Sequence, residues 1–272
     1  MKVPQAGAVA VVIALALTTS GCGGGDEAKG TLSIGIKFDQ PGIGLREADG
    51  TFSGFDVDVA TYVAKQLGYT PDRIDFKQVY SNDRELLIQY NEVKFVVASY
   101  SVNDKRKEKV DFAGPYFLAH QDLLVRSDDN TIAKAEDLNT KKLCSVTGST
   151  SAENVKNTLA PKASVLELGS YTECVIALQD RLVDAITTDD SILAGYAAKK
   201  GNEGKFKLTG QKLSNESYGI GLKKGDKDLR AKIDAALVKM VEDGSWETAV
   251  KKNFGPANYK YEPAPRGLTS GG

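Results

Sequence analysis

The sequence predicts an α/β protein of two lobes built on mostly parallel sheets, and three observations predict it. Short apolar strands alternate with amphipathic helices along the chain, the pattern of strands covered by helices on both faces. The alternation runs through two cycles of similar size, separated by the polar run Ser127-Asp128-Asp129-Asn130. One strand leads into the second cycle and another, near Tyr218–Leu222, leads back, so the first lobe is discontinuous. The expected boundaries are 31–124 with 217–255 for lobe 1, 125–216 for lobe 2, and a loosely ordered tail at 256–272, where Pro and Gly are frequent. With 272 residues and 41% hydrophobic content the chain forms ordinary cores without staples. A net charge of −1 gives no sign of nucleic acid or an anionic membrane surface as partner.

The amino terminus sets the compartment. Lys2, the apolar run Ala6–Leu17 and the small residues before Cys22 read as a secretory signal, too short for the roughly 20 apolar residues of a membrane span. Gly23–Gly30 reads as a flexible tether.

In chain order, Thr31–Ile36 alternates as a strand and runs into a turn-rich loop, Lys37–Arg46. Asp49-Gly50 marks a turn, and Val59, Val63 and Leu67 stripe a helix that stops at Gly68. Ile74–Val79 alternates again, and Ser81-Asn82-Asp83-Arg84 opens the next helix. Val96–Ala98 is a buried strand that ends in Ser99, Tyr100 and Ser101, where hydroxyls and freed backbone groups meet a polar ligand. A turn at Asn103–Glu108 follows, with an Asn or Asp to cap it. Its Arg106 offers a two-pronged fit to a carboxylate that a lysine lacks; a plain solvated charge run is the alternative. Gln121–Arg126 is a short crossing strand.

The second cycle has strands at Lys142–Val146, Val165–Leu168 and Asp184–Thr188, with helices at Ala152–Leu159, Glu173–Leu182 and Ser191–Lys199. Leu229, Ile233, Leu237 and Val241 stripe a long amphipathic helix before Trp246. Asp189 and Asp190 directly follow a buried strand, at the carboxyl end where open α/β sheets bind ligands. With Cys22 set aside, Cys144 and Cys174 form an even pair in an oxidising compartment, read as a disulfide, with two buried free thiols as the alternative. One histidine and no CxxC pair give no metal site.

These residues resemble a family. The segment SYSVNDKRKEKVDFAGPY, preceded by GFDVDVA and followed by TGSTS and VDAITTDD, resembles the polar amino acid-binding proteins of ABC importers over about 31–255. IGIKFDQPGIGLR, Ser81 with Arg84, LCSVTGSTS and YGIGLKK resemble the glutamate-binding lipoproteins of actinobacteria in particular. The small pair before Cys22 resembles a lipoprotein signal, although Thr19 stands where such signals usually carry Leu; the resemblance implies Cys22 lipidation and anchoring on the outer face of the cell membrane.

The resemblance implies the two-lobed periplasmic-binding-protein fold of type II, closing by hinge motion, with no cofactor. The implied partners are an amino acid, glutamate first, and the permease and ATPase of an importer, the binding protein itself acting as a monomer. It further implies that Arg106 clamps the ligand α-carboxylate with Ser99 and Ser101 beside it, that Thr147 and Thr150 close over the ligand, and that Asp189 holds the α-ammonium. Phe38 corresponds to an aromatic wall, Ser81 and Arg84 to the distal carboxylate site, and Arg46 leans in from the first loop. A surface role is the alternative for Arg46 and for Arg84, whose one-turn partner position holds Ile88. Where the family has Gly and then Asp after the second helix, this chain has Asn91 and Lys94. The rival functions are a binder preferring glutamine or aspartate, a ligand sensor, or a dehydratase-like extracytoplasmic enzyme on the same fold. The enzyme would need a poised acid or base, and His120, the only histidine, sits by the crossing strand in a structural position.

Overall fold

The computed structural model describes Met1 and residues 30–268. The signal segment, Cys22, the tether before Gly30 and the last four residues lie outside the described residues. Among the described residues no helix is long and apolar enough to cross a membrane.

The chain begins with β1 (Leu32–Ile36), whose Ile34 and Ile36 are fully buried, and turns into a small antiparallel sheet of β2 (Asp39–Gln40), β3 (Gly44–Arg46) and β4 (Phe52–Ser53). Helix α1 (Phe55–Gln66) follows, with Asp56 and Asp58 in its first turn to meet the helix dipole. Its entry needs Gly54, at φ +122°, because a Cβ there would lie 2.3 Å from the Ile43 carbonyl oxygen. Then come β5 (Ile74–Gln78), α2 (Arg84–Gln89), β6 (Phe95–Val97) and the short α3 (Asp104–Lys107). Asn91 takes the left-handed conformation after α2, at φ 59°.

Strand β7 (Val110–Arg126) is one continuous element where the sequence predicted only Gln121–Arg126. Gly114 and Pro115 sit in a bulge: Tyr218 pairs with Phe117 and Ile220 with Ala113, so the ladder skips the residues between. The chain continues through β8 (Lys142–Val146), α4 (Thr150–Asn154) and a π-helical turn (Val155–Leu159), β9 (Ser164–Leu168), α5 (Tyr171–Gln179), β10 (Ala185–Asp189), α6 (Asp190–Ala198) and β11 (Phe206–Leu208). Strand β12 (Ser214–Lys223) returns antiparallel along β7, and α7 (Lys227–Glu242) and α8 (Ser245–Phe254) finish the helices.

Strands β5-β1-β6 pair in parallel, as do β10-β8-β9, and the long antiparallel pair β7/β12 joins them into one hydrogen-bonded path. The α/β class, the two parallel sheets and the two crossing strands are as expected; the sheets are continuous through the crossing rather than separate. At that crossing Phe117 stacks on Phe254 at 5.2 Å and the Trp246 indole donates to the Tyr116 carbonyl at 2.8 Å. Trp246, Ala249, Val250 and Phe254 give α8 its buried stripe.

Cys144 of β8 and Cys174 of α5 form a disulfide with Cα atoms 5.6 Å apart. The expectation of a loose tail fails for its described part. Tyr261 donates to Glu247 at 2.7 Å, Tyr259 donates to Asp190 at 2.8 Å, and Leu268 is buried in the core. Proline content misled here because tyrosines bury rings while their hydroxyls find partners.

Candidate functional site

A narrow polar cavity lies where the carboxyl ends of the two parallel sheets face each other. Ser81, Arg84, Ser99, Ser101 and Arg106 border it from one side, and Thr150, Tyr171, Thr188 and Asp189 from the other. Seven of the predicted residues are thus brought together: Arg106, Ser99, Ser101, Asp189, Thr150, Arg84 and Ser81.

Arg106 reaches the cavity because Asn103 caps the short α3, accepting from the Arg106 backbone N–H at 2.9 Å. The residue is 7% exposed; Nη1 donates to the Ser101 carbonyl at 2.6 Å and Nη2 donates to the Gly148 carbonyl at 3.0 Å, across the cleft. Glu85 Oε1 stands 3.8 Å from Arg106 Nε.

Arg84 is 2% exposed and donates to the Ser81 and Ala98 carbonyls, each at 3.1 Å. Its guanidinium lies 4.1 Å from the centre of the Tyr100 ring, with Arg106 at 5.0 Å from the same ring. Burial, followed by the nearby Arg106, lowers its pKa to about 10, so it is still a cation at neutral pH. The surface alternative for Arg84 is thereby excluded.

Ser99 stands at φ 41°, a left-handed conformation that a serine takes at a cost. Asp56 holds it there: buried in the first turn of α1, it accepts from the Ser99 N–H and from the Tyr116 hydroxyl, each at 2.7 Å. Burial pushes the Asp56 pKa up to about 7 despite these donors.

Opposite, Asp189 at the end of β10 is 4% exposed and accepts from the Tyr218 hydroxyl at 2.6 Å. Burial, with Glu216 as the next cause, pushes its carboxyl well above the usual range. Glu216 accepts from Thr150 at 3.2 Å. Asp190 faces the other way: its Oδ1 accepts from the His120 and Ser191 backbone N–H groups and the Tyr259 hydroxyl.

Three expected residues lie outside the cavity lining. Thr147 is exposed and its backbone N–H donates to Leu168, so the loop presents Ser149, Thr150 and Ser151 instead. Arg46 is exposed because β3 pairs with β4 and directs it to solvent. Phe38 is half-buried, its ring edge-on to Tyr80 at 5.0 Å. In the same loop, sequence reasoning missed Gln40, which accepts from the Ser99 hydroxyl at 3.0 Å, and Lys37, fully buried, whose Nζ donates to the Ser81 hydroxyl at 3.3 Å. Burial lowers the Lys37 pKa to about 8. Tyr171 was also missed because the helix was expected to begin at Glu173; the Ser170–Glu173 capping box starts it earlier.

The arrangement is a small enclosed space with guanidinium groups on one wall, a carboxylate on the other and hydroxyls between. The chemistry suits a zwitterion carrying an additional acidic or polar group. Among the described residues no group of His, Cys, Asp and Glu is gathered to hold a metal ion.

Comparison with known proteins bears on the same span. The sequence matches the bacterial extracellular solute-binding proteins, family 3, over residues 32–256. The glutamate-binding protein GluB of Corynebacterium efficiens is 42% identical over 92% of this chain and 90% of its own length. The glutamine-binding protein GlnH of the Bacillus subtilis ABC transporter is 38% identical over 80% of this chain and 79% of its own. Among solved structures, an ancestral arginine-binding protein bound to glutamine superposes with a TM-score of 0.77 at 33% identity, covering 84% of this chain and 99% of that one.

Proposed function

The chain belongs to the bacterial extracellular solute-binding proteins, family 3, and from that premise we propose that it captures an acidic amino acid, glutamate first, outside the cytoplasm and delivers it to an ABC importer. The observation that supports this is the opposition of Arg84 and Arg106 to Asp189 across one enclosed cavity.

On this reading the α-carboxylate meets Arg106 with Ser99 and Ser101, and the α-ammonium meets Asp189. The distal carboxylate meets Ser81 and Arg84, with the buried Lys37 behind Ser81 adding positive charge. Residues 31–124 with 217–255 form one lobe and 125–216 the other, and β7 and β12 bend between them as the lobes part and close. Cys22 anchors the mature chain by lipid, and the protein works as a monomer beside the permease and ATPase. The role is binding rather than catalysis: the side chains in the cavity hold a zwitterion, and the curated relatives above are binding proteins.

Glutamine is the second reading. It is favoured by the glutamine-binding relative and by the two backbone carbonyls that already occupy Arg84, leaving fewer of its donors for a ligand carboxylate. Isothermal titration with glutamate, glutamine and aspartate separates the readings. The glutamate reading requires glutamate to bind at least tenfold more tightly than glutamine at pH 7. The reverse order overturns it in favour of glutamine, and binding of neither overturns both.

A further inference from the structure

The segment after α8 runs over the back of the β7/β12 crossing and contacts the helices on either side of it. It turns at Asn258, at φ 47°, and Tyr259 then packs its ring 5.4 Å from Phe254 and gives its hydroxyl to Asp190. Tyr261 sets its ring edge-on to Trp246 at 6.2 Å and bonds Glu247 of α8. Glu262 lies 3.2 Å from His120 Nε2 of β7, whose Nδ1 is 3.0 Å from Asn215 of β12; Glu262 also accepts from Lys212 at 3.5 Å. Leu268 ends the segment buried against β7 and α7.

These contacts join both sides of the cavity from behind. Tyr261 and Leu268 fix the segment to the helices that pack on the first parallel sheet. Tyr259 and Glu262 reach the start of α6, His120 of β7 and the stretch leading into β12. The Asp190 oxygen that accepts from Tyr259 also accepts from the His120 N–H of β7, so the hydroxyl ties the segment to the joint between the start of α6 and the crossing strand. Asp189, whose side chain faces the cavity, is the adjoining residue. None of this was visible as a motif, because Tyr259 and Glu262 lie about 70 and 140 residues from their partners.

We propose that Tyr259 is a positioning residue and residues 258–268 a strap, which together hold the Asp189 wall in its closed place against the crossing strands. The proposal rests on the reading of Asp189 as the ammonium partner. The strap acts on closure and not on the choice of ligand. Its loss therefore weakens every amino acid by the same factor.

The test compares the full chain with Tyr259→Phe, which keeps the ring packing and removes only the hydroxyl, and with Tyr259→Phe combined with Glu262→Gln. Titration calorimetry with glutamate and with glutamine is expected to show about tenfold weaker binding of both in the double variant, with their ratio unchanged. Small-angle scattering of the ligand-free chains is expected to show a larger radius of gyration in the variant, and thermal melting checks that it folds. Binding within twofold of the parent, or a loss confined to one ligand, overturns the strap. Should the parent bind neither amino acid, the proposed function fails on its own. The strap is then judged by scattering alone, where identical curves overturn it.

Discussion

The two walls of the cavity carry opposite charge and are built by opposite means. On the cationic wall, Arg84 and Arg106 are held mainly by neutral groups, the carbonyls of Ser81, Ala98 and Ser101 and the face of Tyr100, with the Glu85 carboxylate 3.8 Å from Arg106 Nε. Dipoles and a π-face fix a guanidinium without cancelling its charge, so Arg84 stands ready before any ligand arrives, while Glu85 offsets part of the charge of Arg106. On the acidic wall, Asp189 has one hydroxyl donor and two acidic neighbours, Glu216 and Asp190, and burial already favours its protonated form. An ammonium close by favours its charged form. The first wall therefore selects carboxylates in advance, whereas the second is completed by the ligand, which ties binding to closure.

The largest expected effect removes the centre of the prepared wall. Arg106→Ala takes away a cation bonded to both sides of the cleft, and calorimetry should show glutamate binding weakened by at least about 100-fold, roughly 3 kcal/mol. Near-parent affinity would place the ligand elsewhere. Next, Arg84→Gln keeps a donor for Ala98 while deleting the charge, so glutamate should lose about 30-fold and glutamine no more than a few-fold. Equal losses for both ligands would move Arg84 from selection to general support of the wall.

A smaller effect comes from Lys37. Its pKa of about 8 in the free protein rises when a ligand carboxylate settles beside Ser81, because the nearby anion favours the charged amine. The bound state thus holds the proton more tightly than the free state. The added affinity is fully present below pH 8 and is lost as pH rises above it. Glutamate affinity measured from pH 7 to 9.5 should fall several-fold more than glutamine affinity, and Lys37→Met should remove the difference. Parallel profiles for both ligands would take Lys37 out of the distal site.

The order of these effects follows how the site was legible. Arg106, Ser99, Ser101 and Asp189 stand at strand ends, where a buried apolar run gives way to polar residues, and that transition is visible in sequence. Lys37 follows such a strand too, but a single lysine in a turn-rich loop reads as surface; only its burial behind Ser81 reveals it. Arg46 and Phe38 were drawn in from the same loop because its path was unknown. The three-stranded sheet of β2, β3 and β4 turns Arg46 outward and brings Gln40 in. That loop also presses on the opposite half. Asp39 accepts from the Tyr171 N–H at 2.8 Å, and Gly195 has no room for a Cβ, which would lie 2.1 Å from the Pro41 carbonyl oxygen. Contacts of this kind arise between residues more than a hundred positions apart, beyond any local pattern. The helix periods, the cap before Arg106 and the cysteine pair are local or countable, and they were readable, whereas the Ser170–Glu173 capping box was equally local and was passed over.

The smallest expected effect on binding belongs to the disulfide. Cys144 lies at the middle of β8 and Cys174 inside α5, so the bond ties a strand to its covering helix beneath the acidic wall. With a sequence separation of 30 between them, the constraint on the unfolded chain is worth about 3 to 4 kcal/mol. Neither sulfur borders the cavity. The Cys144→Ala, Cys174→Ala double variant should therefore lose about that much stability in a urea titration while keeping its glutamate affinity within about twofold. If affinity falls along with stability, the acidic wall depends on a rigid α5 to present Tyr171 and Asp189, and the contrast becomes one between a wall fixed by local bonds and a wall fixed by the core behind it.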